Sequence, residues 1–395
     1  MSAEPVNAWD ARLWVTAESN SALGTATTPS ATDALEYVTS NLGPNELGVI
    51  RPQRDRSLDR AMANAYVEGR VQPIPWTIET SVKSRSSATA APRELQLYRA
   101  AGLACAAGGS NYVVSINNDP MNTSGAFNPI TIARLMGQLG ATGTVYEGER
   151  LRGGLVKSLV WSGGDKELTL VASGVAQRKD HMGYTSSITL NNSQTTYTFA
   201  DEETGRRFGL GWYIIDSEII QVTAMDYSTY TMTFLRAQLS TSAASHTAVP
   251  MVPYMPAPSV SGSPISEGTT CTCTLDSQAI RVLGWQVSFN SGMDASPGET
   301  GSKYFQTVTQ KRTSATVTLR AMLRRETISL LGKSTGKKTP LALSLVQGSA
   351  AGGIATFTLS YCELDAFAVP DTFNDQAICS LTLRTFGIGF SLTLT

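Results

Sequence analysis

From Val282 to Asn290 and again from Ser314 to Leu323, apolar and polar residues alternate. Trp285, Val287 and Phe289 alternate with Gln286, Ser288 and Asn290. Ala315, Val317, Leu319, Ala321 and Leu323 alternate with Ser314, Thr316, Thr318 and Arg320, Met322 being the exception. Side chains of a strand point to opposite faces in turn, so each run predicts a strand with one face in a core. The segment between them, SGMDASPGETGS, carries Pro297 and several glycines and predicts a long loop.

The same pattern predicts strands at Ala11 to Ala17 and along Trp76 to Lys83, the second just after Pro73 and Pro75. GLVKSLVW and KELTLVASGV, separated by SGGD, predict a hairpin. Leu42 to Gly48 reads as a turn. Helices are expected at Thr32 to Ser40, at Ala91 to Gly102 and at Asn128 to Gly140. In the second, Pro92 suits the first turn and Gly102 the stop. In the third, Ile132, Leu135, Met136 and Leu139 fall at helical spacing.

Residues 184–258 read as short strands closed by a linker holding Pro250, Pro253, Pro256 and Pro258. After Gly268, TCTCTLDSQ, TPLALSLVQG, GGIATFTLSYCEL and QAICSLTLRTF predict further strands. The expected class is mainly β, a sandwich or barrel with one or two short helices. Residues 1–183 and 259–395 form its two halves, and 184–258 an inserted small β module.

Composition narrows the function. The 395 residues are 42% hydrophobic but only 16% charged, against about 25% in ordinary soluble proteins. Small polar residues in place of charge suit a β-rich assembly covered by copies of itself. A net charge of −1 argues against a chain that grips nucleic acid. The opening MSAEPVNAWDARLWV has no apolar core after a basic start, and no stretch approaches the ~20 apolar residues of a membrane helix. The five cysteines read as free thiols of a reducing compartment.

Candidate chemistry is sparse. GKSTGKKT at 332–339 is one residue short of a phosphate-binding loop and reads as a basic turn. His181 is expected at the exposed end of a strand and His246 in a Ser/Ala-rich loop, neither in a triad or metal pattern. Asp201, Glu202 and Glu203 read as a solvated turn. Trp76, Trp161, Trp212 and Trp285 read as core or interface anchors. No catalytic, metal or cofactor residue is assigned.

Arg51 to Arg70 is charged and interleaved with small residues, and reads either as a solvated segment or as an arm that meets a neighbouring subunit. The inter-subunit contact candidates are Arg54, Asp55, Arg56, Arg60 and Tyr66 here, and Glu299, Lys303 and Tyr304 near the long loop.

Three stretches carry a family resemblance. They are VEGRVQPIPWTIETSVKSR followed by PRELQLYRAAGL; LVKSLVWSGGDKELTLVASGVA; and VLGWQVSFNSGMDA through TSATVTLRAML, TPLALSLVQG, GIATFTLSYCELDAF and DQAICSLTLRTFG. Together they resemble the tail tube (major tail) proteins of long-tailed bacteriophages. The segment IIDSEIIQVTAMDYSTYTMTFLRAQLSTSAASH resembles a small β module that decorates phage structural proteins.

The resemblance implies a non-enzymatic virion protein, built into the tail after assembly in the host cytoplasm. Its rings would be homo-hexameric, or trimeric if the tube domain is duplicated. They would stack into a conduit for DNA and the tape-measure protein, with terminator and tail-tip proteins at its ends. The competing expectations are another virion component (terminator, tail-tip or capsid decoration protein) and a β-rich carbohydrate-binding module or glycosidase.

Overall fold

The computed structural model describes the chain except residues 1–5, 20–22, 37–38, 44–47, 53–65, 88–89, 118–126, 141–142, 258, 260–261, 266–270, 297–303, 331–339, 350–352, 374–375 and 387–388. The chain is mainly β. Its first part forms β1 (Val6–Ala17), β2 (Ala34–Leu35), β3 (Thr39–Asn41), β4 (Gly48–Pro52), β5 (Tyr66–Val71), β6 (Ile74–Ser81), α1 (Leu95–Ala100), β7 (Leu103–Gly108), β8 (Asn111–Ile116), β9 (Ile130–Gly140), β10 (Gly143–Gly164), β11 (Thr169–Ala176) and β12 (Arg178–Met182). The middle forms β13 (Thr185–Leu190), β14 (Thr196–Thr198), α2 (Glu202–Arg206), β15 (Gly211–Ile215), β16 (Glu218–Asp226), β17 (Thr231–Gln238) and β18 (His246–Pro253). The last part forms β19 (Thr272–Leu275), β20 (Gln278–Ile280), β21 (Val282–Asn290), β22 (Met293–Ser296), β23 (Thr307–Gln310), β24 (Ser314–Met322), α3 (Arg325–Ser329), β25 (Leu341–Ser349), β26 (Gly353–Phe373), β27 (Gln376–Phe386) and β28 (Phe390–Leu394).

The long strands β10 and β26 each take part in more than one sheet and tie the outer parts of the chain into one barrel-like body. Its widest ladder runs β3-β6-β11-β10-β21-β24-β27-β26. The inward faces of this ladder, including Trp76, Trp161, Trp285 and Phe289, meet Tyr98, Phe357 and Phe390 in one large core. Trp161 is the hub: its ring lies 6.0 Å from Tyr98, 5.6 Å from Phe357 and 5.9 Å from Phe390. The alternation read in β21 and β24 is met. Trp285, Val287, Phe289, Ala315, Val317, Leu319 and Ala321 are all buried.

The two halves of the chain carry the same strand circuit. In the first, β2 pairs β1, β1 pairs β9, β9 pairs β10, β10 pairs β11 and β12, β11 pairs β6, and β6 pairs β3. In the second, β20, β19, β25, β26, β27, β28, β24 and β21 repeat those ladders in the same chain order. Register agrees as well. Leu13↔Leu35 matches Cys273↔Ile280, and Ala172↔Ile78 matches Leu381↔Leu319. The bulge between Val156 and Ser158 recurs between Leu364 and Ala366. Each half also places a two-stranded hairpin (β4–β5, β22–β23) and then a short helix (α1, α3) at the same points of the circuit.

Several expectations are corrected. Residues 130–140 form strand β9, not a helix. β9 is paired on both edges, and it is also buried on both faces. Ile130 and Ile132 enter the large core, while Ala133 and Leu135 enter a second one. A strand buried on both faces loses its alternation and can mimic helical spacing. The helix expected at Thr32 to Ser40 is a 3₁₀ turn at Ala31–Asp33, where the Ser30 amide and hydroxyl donate to Asp33. Pairing of Leu13 with Leu35 then draws the chain into β2. The helix near Ala91 to Gly102 is present but shorter. The long loop after β21 holds the β22–β23 hairpin.

Residues 185–253 form a separate six-stranded sheet, β13-β18-β15-β16-β17-β14. The stretch expected as a proline linker supplies β18, which lies between β13 and β15. Its ladder with β13 is irregular, and Ala248 has φ of 54°, so the strand tolerates Pro250 at a break in regular pairing. This module has its own ladder but shares its core. Trp14, Ala34, Ala133, Leu135 and Met182 of the barrel pack with Phe208, Tyr213, Ile220 and Phe234 of the module.

Candidate assembly interface

Two ladders join the halves, β8·β28 and, within the wide sheet, β10·β21. Residues 158–164 of β10 pair antiparallel with 284–290 of β21, from Ser158↔Asn290 to Gly164↔Gly284. Leu159, Trp161, Val287 and Phe289 are buried there. At the far end the two backbones crowd: a Cβ on Gly164, whose φ is +113°, would lie 2.7 Å from the Gly284 Cα. Gln347 of β25 clips the tip, its Oε1 accepting from the Gly164 amide (2.9 Å) and its Nε2 donating to the Lys166 carbonyl (2.8 Å).

The circuit provides this joint once and leaves its two components over at the ends of the wide sheet. The part of β26 that corresponds to 158–164 of β10 runs from Ala366 to Phe373, with one extra residue at the bulge between Ala368 and Asp371. Among the described residues it pairs only with β27. The strand that corresponds to β21 is β3, which among the described residues pairs only with β6. Shared long strands close the barrel, but among the described residues no ladder joins β3 to β26. Phe367 corresponds to the fully buried Leu159 and is only partly buried, at the rim of the core. Such edges are templates for another chain.

Of the contact candidates expected from the sequence, only Tyr66 and Tyr304 are among the described residues. Arg54, Asp55, Arg56 and Arg60 lie between β4 and β5, outside the described residues, and Tyr66 begins β5. Glu299 and Lys303 also lie outside them. Tyr304 lies beneath the Arg178 guanidinium, 4.0 Å from its ring centroid, within the same chain. GKSTGKKT falls wholly outside the described residues.

The chemistry elsewhere is that of buried structural polar groups. His181 is exposed on β12. His246 is not in an open loop: it is 3% exposed at the start of β18. Its Nδ1 lies 2.9 Å from Asp216 Oδ2 and its Nε2 2.9 Å from Glu218 Oε2. Arg236 holds Glu218 through two bonds of 2.6 Å, and the amides of Ala237 and Ala244 donate to the same carboxylate. Burial opposes charge on Glu218. The bonds from Arg236, His246, Ala244 and Ala237 outweigh it and hold the carboxyl at about 2. Nothing in the local sequence announced this hub, because its members are scattered across β16, β17 and β18. Asp201, expected in a solvated turn, caps α2 through the Thr204 amide (2.7 Å), and Glu202 and Glu203 lie exposed in its first turn.

Glu94, at the start of α1, is 1% exposed with no hydrogen-bond partner on either carboxylate oxygen. Burial raises its carboxyl to about 7, only weakly opposed by the nearby Glu94 and Lys83 amides and by Arg93 and Lys83. The amides lie close enough to act on the charge without making full hydrogen bonds. All five cysteines pack into the large core or against it, and burial pushes Cys105, Cys273 and Cys362 up to about 12, where a thiol is a poor nucleophile.

No known protein-family model matches this chain, and no curated protein matches it.

Proposed function

We propose that this protein is a structural subunit that joins head to tail with copies of itself into closed rings, which stack into a hollow tube. The carrying observation is the seam. The chain joins its own first half to its second through β10 and β21, and among the described residues the corresponding strands, β26 and β3, each keep one unpaired edge at opposite ends of the sheet. A contact between two different surfaces propagates until it closes as a ring or continues as a filament. Allowing for the bulge between Ala368 and Asp371, the register of the internal seam brings Asp371 of one copy opposite Asn41 of the next.

The sequence resemblance supports the tail tube of a long-tailed phage as the setting. On that reading the protein belongs to the virion and is assembled in the host cytoplasm. Tape-measure protein and DNA occupy the lumen, terminator and tip proteins sit at the ends, and no enzymatic step is involved. The near-zero net charge suits a conduit through which DNA slides without being held. Because each chain carries the circuit twice, a ring of six circuits takes three chains.

Negative-stain electron microscopy of the purified protein tests this. Rings or tubes, three chains to a ring, are expected. A monomer that stays dispersed at high concentration would refute the proposal.

A further inference from the structure

The β22–β23 hairpin belongs to the second half but sits on the first. Ser291 Oγ donates to the Val156 carbonyl (2.7 Å), and Lys157 Nζ lies 3.2 Å from Asp294 Oδ1. Gln177 Nε2 donates to the Phe305 carbonyl, and Arg178 covers Tyr304. Met293, Ala295 and Phe305 thereby bury Phe127 and Leu155 in a third apolar cluster. The hairpin thus reinforces the β10·β21 seam with a second contact beside it.

The β4–β5 hairpin stands at the same point of the first half. Gly48 follows Asn41 by the same interval at which Met293 follows Gln286, and Asn41 and Gln286 correspond through their partners Thr77 and Thr318. Among the described residues its strands form a sheet with each other alone. The second half shows the complementary surface. The bulge at Val156–Ser158, where β22–β23 lands, corresponds to Leu364–Ala366. Glu363 and Asp365 are exposed there. Tyr361, at 62%, is the most exposed of the large hydrophobic residues described. Charge is complementary: Asp365 stands where the first half has Lys157. Residues 51–70 carry Arg51, Arg54, Arg56, Arg60 and Arg70 against Asp55, Asp59 and Glu68.

We infer that the β4–β5 arm of one copy docks on the second half of the adjoining copy, beside Tyr361, Glu363 and Asp365, as β22–β23 docks on the first half of its own chain. This rests on the head-to-tail reading and adds a second, separable contact to it. It fills an apolar and acidic site with a strand pair that, among the described residues, has no further ladder partner in its own chain. An arm reaching across a seam also closes the joint against peeling, since edge pairing and arm must separate together.

The test is cysteine cross-linking in assembled protein with a short bis-maleimide. By correspondence with Asp294 and Lys157, Val49→Cys and Asp365→Cys in one chain are expected to give inter-chain products that neither single variant nor the parent chain gives. Asn41→Cys with Asp371→Cys reports the strand seam in parallel. Seam products without inter-chain arm products would overturn the arm placement and leave the polymer standing. Arm products without seam products would contradict the shared joint from which the placement is argued. Absence of both, with no rings, would overturn the polymer and the arm together.

Discussion

Trp161 of β10 stands opposite Val287 of β21, and both side chains are buried in the ladder that joins the two halves of the chain. The pair lies in the ladder by which the wide sheet of the first strand circuit continues into that of the second. Everything proposed about assembly extends that contact by one step. Its strength comes from apolar burial on the inner face combined with a continuous backbone ladder, so it needs no charged residues.

Phe367 occupies in the second half the place that Leu159 holds in the first. Leu159 is fully buried by the seam, and Phe367 is partly exposed. Phe367→Glu is expected to leave a folded chain, losing about 1–2 kcal/mol at the core rim. It should abolish rings, because a carboxylate would have to be buried in the joint without a partner. Circular dichroism and sedimentation velocity check the two halves of the prediction. Intact rings of the variant would mean that this edge is not used.

Glu94 makes stability fall as pH rises. Its folded-state carboxyl is at about 7 against an ordinary value of 4.5, so the folded chain holds the proton more tightly than the unfolded one. The penalty of ionising it is absent below 4.5, grows between 4.5 and 7, and is constant above. Glu94→Gln should therefore stabilise the protein at pH 8, by on the order of 3 kcal/mol at most. It should also flatten the dependence of Tm on pH between 4.5 and 7. A Tm profile identical to that of the parent chain would show that Glu94 stays hydrated.

The module's charged hub behaves in the opposite sense. Glu218 is held at about 2, so its contribution is complete above the ordinary value of 4.5 and is lost as pH falls from there through 2. Arg236→Ala strands a carboxylate that is 1% exposed and is expected to cost about 3–5 kcal/mol. The loss should appear first in the fluorescence of Trp212, which lies in the module. Unchanged melting of the variant would contradict the account of the hub.

Excising residues 184–258 is expected to damage the barrel as well. The module covers Trp14, Ala133, Leu135 and Met182, so its removal exposes a contiguous apolar patch. Aggregation of the truncated chain is expected, with solubility restored by polar substitutions at Leu135 and Met182. A soluble, ring-forming truncation without those changes would show that the shared core is dispensable.

Much of the barrel was legible because its strands are buried on one face only. Trp285, Val287 and Phe289 alternate with polar neighbours, so the pattern could be read. β9 was misread because both its faces are covered, and β18 because its prolines mimic a linker. The repeated circuit was hidden for a different reason. Ile74, Trp76, Ile78 and Thr80 correspond to Ala315, Val317, Leu319 and Ala321. The inward direction is preserved while size and type are not, so register survives without visible repetition. The proposed assembly edges were invisible in principle, because an unpaired edge is defined by which ladders are missing.

The most direct measurement is disulfide formation between Asn41→Cys and Asp371→Cys, carried in one chain and oxidised in assembled protein. The head-to-tail account predicts a ladder of covalent multimers on a non-reducing gel, closing at the ring and absent from each single variant. A product confined to one chain, or no product in protein that still forms rings, would contradict it.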